Sequence, residues 1–374
     1  MASSFTQNVP SGKPVTTRII DSTSKIAGLP MKALMKPGIE GLEMMPEAPT
    51  WSFLIEHESG RKLLFDLGIP TDWQDAAPAV SDRLKSMGWD ISVQKPTVDI
   101  LKEQGIDASA IEAIVWSHWH WDHIGNPDTF PSSTKLIVGP GFKDEKLPAY
   151  PENPKADVRE SDFEGRELLE ISFTEKSALQ IGPFRALDYF QDGSFYLLDT
   201  PGHAVGHLAG LARTTTNPDT FIFMGGDLTH HAGELRPSEH VPLPSSVPLS
   251  GLPNLISQLQ YSTACPGAIF EAIQNSNGRT PESTTPFFEP AMGKDIPLAI
   301  ETIKKTQTAD ADENILYIFA HDSKVRGTVD LFPEKANAWK EKGWGEKMRW
   351  AFLDDFAVAA KSVKDQQEHE GTKL

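Results

Sequence analysis

Between residues 116 and 123 the chain reads Trp-Ser-His-Trp-His-Trp-Asp-His, which places His118, His120, Asp122 and His123 within six positions. Imidazoles and a carboxylate crowded this closely compete for protons and lone-pair space unless a cation gathers them, so the chemistry they serve is metal binding. Neutral imidazole suits zinc, and a carboxylate beside it suits zinc or iron. The apolar run at 111–116 predicts a buried strand, which puts the cluster where a strand gives way to a loop. In an extended segment His118, His120 and Asp122 share one face and His123 takes the other, because side chains alternate. One short loop then serves two adjacent metal positions.

Other predicted strands end in residues of the same chemical type. The run at 62–65 follows 51–56 across Glu58-Ser59-Gly60, a hairpin signal, and stops at Asp66-Leu67-Gly68. Asp66 there is either a turn residue or a carboxylate that orients a histidine. The run at 195–198 ends in Thr200-Pro201-Gly202-His203, with His207 four residues on. The run at 220–224 delivers Gly225-Gly226-Asp227, where the acid is a turn cap or a ligand, and 315–320 ends in His321-Asp322.

Taken in order, these stretches resemble the five motifs of the metallo-β-lactamase superfamily, over about residues 50 to 321. The resemblance implies an α/β fold, a four-layer αββα sandwich with two mixed sheets facing one another and helices outside. It implies two zinc ions per chain: His118, His120 and His203 on the first, Asp122, His123 and His321 on the second, Asp227 bridging both. Asp66 would orient a ligand, and His207 would sit buried behind His203. A hydroxide shared by the ions would be the nucleophile, with Asp122 relaying the proton to the leaving group. A cysteine-ligated β-lactamase does not fit, because Asp227 occupies that position. A flavo-di-iron oxidoreductase does not fit either, since it carries an acid where this chain has His120. What remains resembles microbial lactonases and glyoxalase II thioesterases. Lactonases of acyl-homoserine lactones carry a tyrosine shortly after the bridging acid, whereas Leu228-Thr229-His230-His231 follows here. His230 is thus a catalytic candidate that either assists the substrate carbonyl or faces solvent.

Composition narrows the partners. A net charge of −17 over 374 residues argues against nucleic acid and points to a small-molecule substrate. The lone cysteine, Cys265, excludes an internal disulfide and fits a reducing, cytoplasmic setting. The sequence has no apolar run of membrane-spanning length and leaves the oligomeric state open.

We expect one metallo-β-lactamase-like domain over 1–374, with an N-terminal arm at 1–30, an insertion at 231–290 and a helical extension at 333–374. Prolines at 237, 242, 244, 248 and 253 argue against regular structure over 231–253. The expected substrate is a small, largely uncharged cyclic ester or amide. Its pocket would be walled by Trp119, Trp121 and the insertion's Leu243, Leu249, Leu252, Phe287 and Phe288, residues that serve equally well in a core. A glyoxalase II-like thioesterase is the alternative, and a metal-stabilised binding protein the remote one. Glutathione thioesters need cations for their carboxylates, and 201–260 offers only Arg213 and Arg236.

Overall fold

Two six-stranded sheets carry the predicted strand ends. The computed structural model describes residues 5–174, 179–276, 284–369 and 371, so short parts of the arm, the insertion and the extension lie outside the described residues. The first sheet runs in chain order through β1 (Thr16–Asp21), β2 (Trp51–Glu56), β3 (Lys62–Phe65), β4 (Ala113–Val115), β5 (Lys135–Val138) and β6 (Leu168–Glu170). The β2–β3 hairpin forms as predicted, with Glu56 opposite Lys62, and β3 to β6 then run parallel. The second sheet is β7 (Leu179–Ile181), β8 (Phe184–Asp188), β9 (Phe195–Asp199), β10 (Leu208–Thr215), β11 (Thr220–Met224) and β12 (Ile315–Ile318). Its neighbours are antiparallel except β11 and β12, so β9, β11 and β12 all point the same way.

Alternation along the strands explains why the sheets stack. In β4, Ala113 and Val115 face the second sheet, where they meet residues such as Leu197, Ile222 and Ile318 in one apolar cluster. Ile114 faces outward into a cluster with Leu101 and Phe142. All three β4 residues are fully buried, as a strand covered on both faces requires. Helices α1 (Pro78–Met87) and α2 (Thr97–Glu103) fall between β3 and β4. The insertion contributes α3 (Pro253–Leu259) and α4 (Ala268–Ser276), followed by α5 (Ile296–Asp310), α6 (Trp344–Arg349) and α7 (Ala357–His369). Ile303 of α5 and Phe356 beside α7 pack on the outer face of the second sheet with Phe221 and Phe223. The layers are therefore helix, sheet, sheet, helix, the αββα sandwich that was expected.

Several local expectations shift. Thr16–Asp21 pairs along its whole length with β2, so this part of the arm is built into the first sheet. The apolar run at 171–173 reads as a strand in the sequence, but the strand that forms is Leu168–Glu170. Despite its prolines, the insertion contains a strand, Ser246–Pro248, paired with Ala264–Pro266. Of the tail, 333–343 is a run of turns that places Trp339 in the core between the sheets, and helix begins only after Gly343 at φ 66°. Two short pairings matter for the site: Lys25–Ala27 with Asp90–Ser92, and Met35–Lys36 with Glu289–Pro290.

Candidate metal centre

Strands β3, β4, β9, β11 and β12 all deliver their carboxyl-terminal residues to one edge of the sandwich, which is how residues 200 positions apart in sequence meet. His118 Nε2 and His203 Nε2 lie 2.8 and 2.9 Å from His120 Nδ1. Asp227 Oδ2 stands 3.4 Å from His203 Nε2 and 3.8 Å from His118 Nε2. Its other oxygen, Oδ1, faces a second group, at 3.1 Å from His123 Nε2 and 3.2 Å from His321 Nε2. Asp122 Oδ2 completes that group 3.5 Å from His321 Nε2. Two sets of donors thus form, His118/His120/His203/Asp227 and Asp122/His123/His321. The extended-chain reading, with Asp122 on the face of His118 and His120, does not hold. A turn closed by His123 N–H donating to His120 C=O, at 3.0 Å, swings Asp122 round to join His123.

The donor chemistry fits cations. His123 Nδ1 donates to Asp66 Oδ2 at 2.9 Å, and His321 Nδ1 donates to the Pro49 carbonyl at 2.7 Å. Each ring therefore turns a lone pair on Nε2 toward the carboxylates. His123 Nε2 and Asp227 Oδ1 are buried and have no hydrogen-bond partner. Two such acceptors at 3.1 Å repel unless positive charge lies between them. Burial holds the His118 and His203 imidazoles well below their usual range and pushes His120 down to about 3, against the pull of Asp227. Neutral rings are the form a metal ligand needs.

Supporting residues fix this geometry. Asp66 sits at φ 56°, a left-handed conformation that strains a non-glycine residue by about 1–3 kcal/mol. Its oxygens accept from Ser117 N–H at 2.6 Å, Ser117 Oγ at 2.7 Å and His123 Nδ1. Charged hydrogen bonds of roughly 1.5–3 kcal/mol each outweigh that strain. Of its two sequence readings, the orienting carboxylate is the one the geometry matches. Asp66→Asn should therefore lower metal affinity and kcat/KM by about 10–100-fold while the fold survives. Metal titration followed by steady-state kinetics checks this, and unchanged values would count against the role. His207 lies fully buried behind the site: its Nε2 accepts from Asp227 N–H at 3.1 Å and its Nδ1 donates to the Thr200 carbonyl at 3.0 Å. Both nitrogens are used, so none remains for a metal. Gly226, at φ 53°, lets this loop close, because a Cβ there would sit 2.9 Å from His207 Nε2 and from Ser117 Cβ.

His230 does not face solvent. It is 3% exposed, lines the cavity above the donors, and sets Nε2 3.5 Å from Asp227 Oδ2 and Nδ1 3.7 Å from Glu234 Oε2. Glu234, which the sequence reading missed, also accepts from His230 N–H at 2.6 Å. Its position four residues after His230, just inside a turn, was the available signal.

The cavity over the donors measures about 450 Å³. Trp119 and Trp121 line it as expected, and Trp119 is clamped by Lys146, whose Nζ stands 3.1 Å from the ring centre. Among the described residues, the insertion does not wall it. Leu243, Leu249, Leu252, Phe287 and Phe288 are all buried in the core beneath α7. The opposite wall is instead built from Ile26, Leu29 and Leu34 together with Leu84, Met87 and Trp89. The pairing of 25–27 with 90–92 ties these two stretches into one unit. Met292 to Lys294 close the rim, held by Lys294 N–H donating to the His203 carbonyl at 2.8 Å.

A strand-end edge with two histidine–carboxylate sets sharing one aspartate, in an αββα sandwich, defines a class. The chain belongs to the metallo-β-lactamase superfamily, whose sequence profile matches residues 45–225. It is 44% identical to "Gamma-lactamase FDB1" of Fusarium pseudograminearum over 91% of this chain and 82% of that protein. It is 41% identical to "Cytochrome P450 monooxygenase mpaDE" of Penicillium roqueforti over 95% of this chain, but spans only 39% of that relative's length. Among solved structures it superposes on a mutant of B. thuringiensis AiiA, with a TM-score of 0.55 at 18% identity over 86% of this chain and 99% of that one. Membership makes the chain a hydrolase of that superfamily. Among the described residues, no helix is long and apolar enough to cross a membrane.

Proposed function

We propose that this chain is a dinuclear zinc hydrolase that opens a small, largely apolar cyclic amide or ester. The observation that carries the reading is the aromatic and aliphatic cavity seated directly over the two donor sets. The 44% identity to a protein named a gamma-lactamase supports the amide in particular. His118, His120 and His203 would hold one ion, and Asp122, His123 and His321 the other, with one Asp227 oxygen turned to each. When bound, the pair supplies an activated water and a Lewis acid for the carbonyl.

The chain's own residues do the rest. The walls of Trp121, Leu29, Leu84 and Met292 bind a flat ring and exclude bulk water. His230, which stands 3.5 Å from Asp227 and 3.7 Å from Glu234 with neither ring nitrogen hydrogen-bonded among the described residues, presents its ring to the cavity and stabilises charge growing on the carbonyl oxygen. Asp122, on the cavity floor, carries the proton from the attacking water to the departing nitrogen or oxygen through its carboxylate. The product is an amino acid or a hydroxy acid.

The thioesterase alternative turns on cations. Arg213 and Arg236 cannot serve it, since both are buried, the first donating to the Gly193 carbonyl and the second paired with Asp310. Arg83 and Lys294 do stand at the cavity, so the argument against a glutathione conjugate rests on the apolar walls. Comparing kcat/KM for aromatic γ-lactams and γ-lactones with that for S-lactoylglutathione decides between them. We expect at least about a tenfold preference for the rings, the scale set by burying one or two extra methylene equivalents. A preference for the thioester would replace this reading with the glyoxalase II-like one.

A further inference from the structure

Among the described residues, one charged side chain at the cavity has no partner. Of the charged side chains around it, Asp122 and Asp227 face the histidines. Glu145 is held by Lys294 at 2.8 Å and by Lys146 at 3.3 Å, so that edge is neutralised. Arg83 is different. It lies on α1, is exposed, lines the wall beside Leu84 and Met87, and its guanidinium has neither a hydrogen bond nor an ion pair among the described residues.

The surrounding chemistry says what would answer it. The facing wall, with Ile26, Leu29, Leu34 and Met292, is apolar and offers a ring no polar anchor. For a ring held there with its scissile bond over Asp227, Lys294 is engaged by Glu145, His230 is turned to the carbonyl and Trp119 Nε1 is a single neutral donor, so among the described residues the Arg83 guanidinium is the unpaired cation open to a substituent. That group is planar, permanently charged, and presents paired N–H donors matched to a carboxylate. A long cationic side chain of this kind can lay its aliphatic stem on apolar surface while its charged head stays in water. In a chain of net charge −17, an unpaired cation at a cavity mouth is also a local exception that favours an anion there. We infer that Arg83 is a specificity-determining residue, and that the substrate is a cyclic amide or ester whose ring carries a carboxylate substituent paired with the Arg83 guanidinium. This refines the earlier expectation of a largely uncharged substrate, and it rests on the cavity being the hydrolase site proposed above.

The test uses the zinc-loaded full chain with oxindole and its positional ring carboxylates, followed by calorimetric binding and by ring-opening kinetics. The best carboxylate isomer should bind roughly tenfold more tightly than oxindole, between the value of a screened surface pair and that of a desolvated charged hydrogen bond. Arg83→Gln should erase that advantage, so that oxindole and its carboxylates bind alike. Arg83→Glu should invert it, and Arg83→Lys should keep only part of it. Rising salt should shrink the advantage in the parent protein alone. Equal binding of oxindole and all its carboxylates, or an advantage that survives Arg83→Gln, would overturn the inference. If both rings are opened while Arg83→Gln changes nothing, the hydrolase reading stands and this one falls. If carboxylate binding depends on Arg83 but no ring is opened, the inference stands and the hydrolase reading falls.

Discussion

Replacing Asp227 with asparagine is expected to leave a folded chain that binds at most one metal ion and retains no more than about a thousandth of the parent kcat/KM. Asp227 divides its two oxygens between the donor sets, Oδ1 toward His123 and His321 and Oδ2 toward His203 and His118. Asparagine keeps one oxygen, substitutes an N–H donor for the other, and removes the negative charge that two adjacent dications require. Removing one preorganised electrostatic group costs about 10²–10³ in rate, and here a ligand is lost as well. The backbone N–H of residue 227 still donates to His207, so the loop keeps its anchor. Metal analysis at saturating zinc, with circular dichroism as the folding control, reads the outcome. Two ions and near-parent activity in the variant would remove Asp227 from the bridging position.

His203→Ala and His207→Ala should part company in the same two measurements. His203 Nε2 points into the first donor set, one of only three imidazoles there. Its loss should abolish metal at that position and lower kcat/KM by roughly a thousandfold or more. His207 spends both nitrogens inside the protein, on Asp227 N–H and on Thr200. Truncation there opens a buried cavity and strands the Asp227 N–H, a loss of about 2–5 kcal/mol of stability. At saturating zinc the His207→Ala protein should still take up two ions, and it should unfold at a lower denaturant concentration. Equal metal loss in the two variants, or the reverse order, would show that the two histidines have been assigned the wrong way round.

How much of this was legible in the sequence depended on what kind of signal each residue carries. A histidine or aspartate at the end of an apolar run has few other reasons to be there, so His118, His203, Asp227 and His321 announced themselves. The split of 118–123 between two donor sets was not readable from alternation, because the turn at His120–His123 breaks the extended geometry on which alternation depends. Strand β10 went unseen because Leu-Ala-Gly-Leu-Ala carries neither β-branching nor aromatic residues, and its burial comes from neighbours on both sides. The cavity walls were the largest gap. Leucine in a wall and leucine in a core look the same in sequence, and the insertion's apolar residues went to the core while Leu29 and Leu84 went to the wall. Arg83 was hidden for a related reason, since an arginine on an amphipathic helix is ordinarily a solvated one.

The short ladder between residues 25–27 and 90–92 has a consequence for how such a protein can diversify. The ligand-bearing loops hang from strand ends in the two sheets, whereas the ladder fastens the facing wall together from segments that supply none of the proposed ligands. Changes within 26–34 or 83–89 can therefore alter which molecules are admitted without disturbing the groups that act on them. Such a chain can acquire a new diet by rewriting about sixteen replaceable positions, while its reactive apparatus is inherited unaltered.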